Sequence, residues 1–265
     1  MEALACDLDR TLIAEDGVLR PRTKRALRAA RAAGLHVIIV TGRMFRSVLP
    51  YVEDAGLDDS VVCYQGAVVA DPRSGEFLLH EPIRLDTALE AIDAVVAENF
   101  HLNCYVGDEL YVAGVTQQAR AYADFQHLPI HPVGPLREWL DRPPTKLVVV
   151  GDPVELDGLE HRLKQRFAGR LYISKSLPFF LELASPNVTK GSGLQFAAEH
   201  IGFALEQTIA FGDGENDVEL LEATGYAVAV ANAHDRVLAV ADFVCPPADE
   251  EGVAQVIEAY LELGT

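Results

Sequence analysis

Ala5-Cys6-Asp7-Leu8-Asp9-Arg10-Thr11-Leu12 stands near the start of a 265-residue chain. An apolar run from Ala3 to Cys6 stops abruptly at two carboxylates spaced i, i+2. On a strand that spacing places both side chains on one face. Where the strand gives way to a loop, both point into a cleft beyond its carboxyl end, the place where open α/β sheets bind ligands. Neighbouring carboxylates repel, so they need a cation or a shared proton. One then suits a nucleophile and the other an acid/base. Taken alone, the string also reads as a strand followed by an Asp-rich turn.

A second string, Phe211-Gly212-Asp213-Gly214-Glu215-Asn216-Asp217, follows another apolar run from Thr208 to Phe211. Its glycines permit a tight turn. Its acids and Asn216 are hard oxygen donors of the kind Mg²⁺ prefers. It also reads as a helix start capped by Asn216 or Asp217. Two acidic strand ends about 200 residues apart make joint sense around one Mg²⁺.

Outward from these strings the pattern is that of a layered α/β protein. The expected strand at 1–7, the helix Pro21–Ala33 stopped by Gly34, and the β-branched strand Leu35–Val40 form a βαβ unit with parallel pairing. A helix is expected over Ser47–Ala55 and strands over Ser60–Tyr64 and Glu76–His80. Between about Glu81 and Ser185 the elements still alternate, but no strand ends in a carboxylate pair spaced i, i+2 or in a Gly-Asp-Gly turn. This stretch reads as an inserted α+β domain that shapes a substrate pocket. From Ser185-Pro186 onward short apolar strands and helices resume, ending in the helix Gly252–Glu262. Short apolar strands suit a sheet covered by helices on both faces. The fold class is therefore α/β: a Rossmann-like, doubly wound parallel sheet formed by residues 1–81 and 186–265, with residues 82–185 inserted.

Composition narrows the function. The chain is 49% hydrophobic with a formal net charge of −18. It has no basic stripe for nucleic acid or an anionic membrane surface. No apolar run approaches the ~20 residues of a membrane span. No signal peptide is evident, so a cytoplasmic location is expected. The four cysteines form no CxxC and read as reduced, buried thiols. A protein this acidic that binds a phosphate ester must build its positive field locally. Two strings supply it: Val40-Thr41-Gly42-Arg43, with a hydroxyl and an approachable backbone, and Thr189-Lys190-Gly191 at a helix start. A Lys there opposes the helix dipole unless an anion lies nearby.

Together these strings resemble the haloacid dehalogenase superfamily of phosphatases, most closely its Cof-like branch of sugar-phosphate phosphatases with a large α/β cap. Gly212-Asp213-Gly214-Glu215-Asn216-Asp217, then Val228-Ala229-Val230-Ala231-Asn232-Ala233, Ala241-Asp242 and Glu251-Gly252-Val253-Ala254 follow in the family's order. The resemblance implies that Asp7 is the nucleophile that becomes an aspartyl-phosphate, and that Asp9 is the general acid and then base. It implies Mg²⁺ held by Asp7, the Asp9 carbonyl and Asp213, with Asn216 and Asp217 near the shell. Thr41, Gly42 and Lys190 would bind the phosphate, with Arg43 beside them. The expected activity is Mg²⁺-dependent hydrolysis of a small phosphorylated metabolite, a sugar phosphate or related phosphomonoester, by a monomer or homodimer. A phosphomutase or phosphotransferase on the same scaffold is the alternative, and a non-catalytic binding protein the remote one. Two residues depart from the family: Arg10 replaces a usual Gly, and Gln65 in Gln65-Gly66-Ala67 replaces a usual Asn. Arg10 would be strained if its position needs φ > 0.

Overall fold

Burial decides where strands form in the first segment. In β1 (Ala3–Cys6) every residue is inaccessible to solvent, which suits a strand with helices on both faces. A computed structural model describes residues 1–126 and 128–263. After β1 come α1 (Pro21–Ala32), β2 (His36–Ile39), α2 (Phe45–Ala55), β3 (Val61–Cys63), β4 (Val68–Ala70) and β5 (Phe77–His80). The insert holds α3 (Leu85–Ala97), β6 (His101–Val106), β7 (Glu109–Val112), α4 (Gln117–Gln126), β8 (Ile130–Pro132), α5 (Leu136–Trp139), β9 (Lys146–Val150), α6 (Pro153–Arg166), β10 (Tyr172–Leu177) and β11 (Phe180–Ala184). The chain ends with α7 (Lys190–Ile201), β12 (Thr208–Gly212), α8 (Val218–Glu222), β13 (Tyr226–Val230), α9 (Asp235–Val240), β14 (Phe243–Cys245) and α10 (Gly252–Leu263).

The described chain divides into two units: Met1–Leu79 with Thr189–Thr265, and His80–Val188. The first unit is built on a five-stranded sheet in the order β14-β13-β12-β1-β2, parallel throughout. On one sheet face Ala3, Ala5, Ile38, Val40 and Ala210 share a core with Leu194, Ala197 and Ala198 of α7 and Leu220 and Leu221 of α8. The alternate residues Leu4, Cys6, Val37 and Ile39 are buried as well, and α1 packs against α10 and β2. This is the doubly wound α/β class expected from the sequence. Strand order reverses between β1 and β12: from β1 the chain proceeds to β2, and from β12 it proceeds the other way to β13 and β14. Ligands of such sheets bind at that reversal.

The second unit carries a six-stranded sheet, β10-β11-β9-β6-β7-β8, antiparallel except for the β7–β8 pair. One face (Leu102, Cys104, Leu147, Val149, Leu181, Leu183) packs with Ala91 and Val95 of α3 and Leu156, Leu159 and Leu163 of α6. The other face is polar and still buried. Lys146 Nζ donates to Glu182 Oε2 at 3.2 Å and lies 5.2 Å from the centre of the Tyr105 ring. The Tyr105 hydroxyl meets the Tyr122 hydroxyl of α4 at 2.6 Å. Asn103 Nδ2 is buried there without a partner.

Several elements differ from expectation. The helix expected from Ser47 begins at Phe45 and tolerates Pro50 in its interior. The strands β4 and β8 and the short α5 carry too few residues for a readable period. In the adjacent aromatic pair Phe179-Phe180, Phe180 is buried, whereas Phe179 is exposed. All four cysteines are buried free thiols. Among the described residues no helix is long and apolar enough to cross a membrane.

The buried Lys146–Glu182 pair gives a stability test for the second unit. Lys146→Met leaves Glu182 as an unpaired buried charge and costs about 3 kcal/mol or more. The double variant Lys146→Met/Glu182→Leu recovers most of the loss. Urea unfolding followed by the fluorescence of Trp139, the chain's single Trp, measures both. A Lys146→Met midpoint equal to wild type would show that the pair contributes no stability.

Candidate active site

The reversal in strand order sets two carboxylates side by side. Cys6 lies opposite Phe211 in the β1–β12 register, and the next amide, Asp7 N–H, donates to the Phe211 carbonyl at 3.0 Å. Asp7 and Asp213 thus leave adjacent parallel strands at their carboxyl ends. Helix α7 begins at the same place. Its first turn is fixed by a capping box in which Thr189 Oγ1 accepts the Ser192 N–H and Ser192 Oγ accepts the Thr189 N–H, both at 3.0 Å. That turn carries Lys190 into the protein.

A cation at a helix N-terminus opposes the dipole, and the structure supplies the compensation from the chain itself. Lys190 Nζ donates to Asp7 Oδ1 and to Asp217 Oδ1, each at 2.6 Å. Burial alone would favour neutral lysine, but the charges of Asp217 and Asp7 outweigh it and raise the ammonium's pKa. Asp217 uses its other oxygen, Oδ2, to accept the N–H groups of Asp213 and Gly214 at 3.0 and 2.9 Å. Both of its oxygens are therefore committed to holding the loop and Lys190. The expected helix cap is not what Asp217 does: it lies in a 3₁₀ turn (Glu215–Asp217) ahead of α8 and bonds backward. Gly212 is required beside it, since a Cβ there would stand 2.5 Å from the Asp217 Cβ.

Asp9 is held apart from this cluster. Its carboxylate accepts two hydrogen bonds from Arg43, Nε to Oδ2 at 2.8 Å and Nη2 to Oδ1 at 2.6 Å, the bidentate fork that arginine forms best. The Arg43 guanidinium also lies over the Tyr51 ring, and the Tyr51 hydroxyl is anchored on the Gly17 carbonyl at 3.1 Å. Thr41 Oγ1 accepts the Arg43 N–H at 3.1 Å. The sequence sets Arg43 beside the expected phosphate-binding residues; its grip on Asp9 comes from the tertiary fold.

Gln65 and Asn216 pair with each other. Asn216 Nδ2 donates to Gln65 Oε1 at 2.8 Å, so a contact from Gln65 to Asp9 or to substrate is not needed to place its amide. The same amide explains Gly42: a Cβ at that position would come within 2.5 Å of Gln65 Nε2. Arg10 has φ at +62°, so the strained alternative raised by the sequence is the one realised. Its guanidinium stands 3.3 Å from Asp213 Oδ2. Three residues escaped assignment from sequence. Thr11, within the opening motif, has a buried hydroxyl without a partner. Asn232 donates to the Arg10 carbonyl, and its only signal was its place in the Val-Ala-Val-Ala-Asn string. Tyr51 carried no signal.

The cluster holds three carboxylates, Asp7, Asp213 and Asp217, each offering an oxygen within 4.8 Å of the others, against the two cations Lys190 and Arg10. Burial first, and then the Asp217 charge, raises the Asp7 carboxyl well above its usual range. The same causes in the same order raise Asp213 to about 6. An all-oxygen donor set carrying excess negative charge fits a hard divalent cation such as Mg²⁺. With Asp217 committed elsewhere, Asp7 and Asp213 are the pair suited to it.

Sequence and fold comparisons identify the family. The sequence model of the haloacid dehalogenase-like hydrolases matches residues 4–257. A phosphoglycolate phosphatase of Methanothermobacter thermautotrophicus is 30% identical over 98% of this chain and 99% of its own length. A pyridoxal phosphate phosphatase of Escherichia coli is 30% identical over 97% of this chain and 98% of its own. A solved structure from Thermotoga maritima, 29% identical, superimposes with a TM-score of 0.87 over 97% of each chain.

The raised Asp213 pKa has a stability consequence whose sign is fixed. A carboxyl whose pKa rises on folding is disfavoured when ionised. Its penalty is absent below the ordinary carboxylate pKa and complete above about 6. In EDTA at pH 8, Asp213→Asn should therefore raise stability, by up to about 3 kcal/mol. The gain should fade as pH is lowered through 6 toward 4. Chemical denaturation across that pH range measures it, and a variant less stable than wild type at pH 8 would contradict the electrostatic account.

Proposed function

Because this chain belongs to the haloacid dehalogenase-like hydrolases, we propose that it is a Mg²⁺-dependent phosphatase of a small phosphorylated metabolite, a sugar phosphate or related phosphomonoester, acting through a phosphoryl-aspartate on Asp7. The observation that carries this reading is the buried Lys190 bridge to Asp7 and Asp217 beside Asp213 at the strand-order reversal. It fixes one carboxylate oxygen of Asp7 and supplies positive charge where a phosphate dianion must approach. Phosphoryl transfer depends mainly on such positioning and charge neutralisation.

In the first step Asp7 attacks phosphorus, the bond to the ester oxygen breaks, and Asp9, entering this step as the carboxylic acid rather than the carboxylate, gives its proton to the departing alkoxide. In the second step Asp9 takes a proton from water, the hydroxide displaces the phosphoryl group from Asp7, and inorganic phosphate leaves. Lys190 and the Thr41 hydroxyl bind the phosphoryl oxygens. Arg43 orients Asp9 through its two hydrogen bonds. Asp7, Asp213 and the Asp9 carbonyl would hold Mg²⁺, which screens the repulsion between carboxylate and phosphate. The two relatives named above carry the names of two chemically different phosphomonoesters. What they share is the phosphate, and selection of the remainder is assigned to the inserted residues 80–188.

A panel of small phosphate esters, assayed for free phosphate with Mg²⁺ and with EDTA, tests the reading. Release should require Mg²⁺ and vanish in Asp7→Asn. Ester turnover without free phosphate, with the group appearing on a second hydroxyl, would replace hydrolysis by transfer. Arg43→Met should lower kcat about 10- to 100-fold with little change in KM, because Asp9 loses its orientation. Unchanged kcat in that variant would remove Arg43 from the mechanism.

A further inference from the structure

Arg10 occupies a backbone region that side chains with a Cβ disfavour, and its side chain reaches across three strand ends. Nη1 stands 3.3 Å from Asp213 Oδ2, beyond β12. Nη2 donates to the Asn232 carbonyl, beyond β13, at 3.1 Å. Asn232 Nδ2 donates to the Arg10 carbonyl at 3.0 Å, and Asn232 Oδ1 accepts the Ala248 N–H at 3.1 Å. The two cations of the cluster differ in burial. The Lys190 side chain is 2% exposed and locked between Asp7 and Asp217. The Arg10 side chain is 49% exposed, with one edge on buried Asp213 and the rest toward water. Lys190 would have to lose two charged partners to move. Arg10 can turn into solvent at little desolvation cost.

We propose that Arg10 is an internal competitor of the divalent ion for Asp213: its guanidinium neutralises that carboxylate when the ion is away and so lowers the ion's affinity. This rests on the reading of Asp7 and Asp213 as the metal pair. The carboxylate that suits the ion is the one that Arg10 faces, and two cations sharing one carboxylate repel. Arg10 is thus a positioning residue that sets the metal requirement of this chain. Its strained backbone is held by the hydrogen bond from Asn232 to the Arg10 carbonyl, which ties the loops beyond β1 and β13 wherever the guanidinium lies.

The test is Mn²⁺ binding to the full-length, EDTA-stripped protein, read from the electron paramagnetic resonance of the free ion, in wild type, Arg10→Gln and Arg10→Lys. All three keep a Cβ at position 10, so backbone strain is common to them. Arg10→Gln should bind Mn²⁺ about three- to fivefold more tightly than wild type, the range for a partly exposed charge pair. Arg10→Lys, which keeps the charge, should stay within about twofold of wild type. The gap between Gln and wild type should narrow as salt is added. Equal affinities for Gln and wild type, or weaker binding by Gln, would overturn the competition. A folded wild type that binds no Mn²⁺ at all would overturn the metal reading and this inference with it, a result distinct from equal affinities.

Discussion

The ammonium of Lys190 lies 2.6 Å from Asp7 Oδ1 and 2.6 Å from Asp217 Oδ1, and much of the site's geometry depends on that bridge. Without it, burial would set two carboxylates against each other with no compensating charge. With it, Asp217 becomes a fastener: one oxygen holds the ammonium while the other gathers the N–H groups of Asp213 and Gly214. The loop after β12 takes its path from those bonds, and Asp213 is carried to its place beside Asp7. The capping box at Thr189 and Ser192 sets the direction from which Lys190 enters. A buried ion pair adds little net stability but is costly to break, so the bridge serves mainly to define one arrangement of the site.

Around that bridge the protein handles its excess of negative charge locally. The chain carries −18 formally, yet the cations that matter are few and differ in function. Lys190 is permanent and buried. Arg43 is spent on Asp9 through a two-pronged contact. Arg10 faces Asp213 from a half-exposed position. A phosphomonoester brings further negative charge to a site already rich in carboxylates, so the cations there have to be placed locally. Three acids against two cations leave the cluster with an excess of negative charge, which is the electrostatic basis for proposing a divalent ion there.

The opening motif and the Gly-Asp-Gly-Glu-Asn-Asp string were readable because their signal is local. An apolar run that ends in acids and turn glycines marks a strand end in any context. The doubly wound sheet followed from the strand-helix alternation around them. Elements without a local period were not readable: β4, β8 and α5 are too short. Asp217 shows a different limit. Its spacing fits a helix cap equally well, and only the positions of Lys190, Asp213 and Gly214 turn it backward.

The sequence by itself determined which residue types stand at the ends of β1, β2 and β12 and at the start of α7, and therefore the family and the candidate residues Asp7, Asp9, Thr41, Lys190 and Asp213. It did so because strand periodicity, turn chemistry and motif order are properties of short stretches. Only the tertiary structure decided who holds whom. Lys190 and Asp7 are 183 residues apart, Arg10 and Asn232 are 222 apart, and Arg43 and Asp9 are 34 apart. A hydrogen bond or an ion pair is formed within about 3 Å of space whatever the separation along the chain. Partner choice among several acids and several cations therefore waits until the sheet has brought the strand ends together.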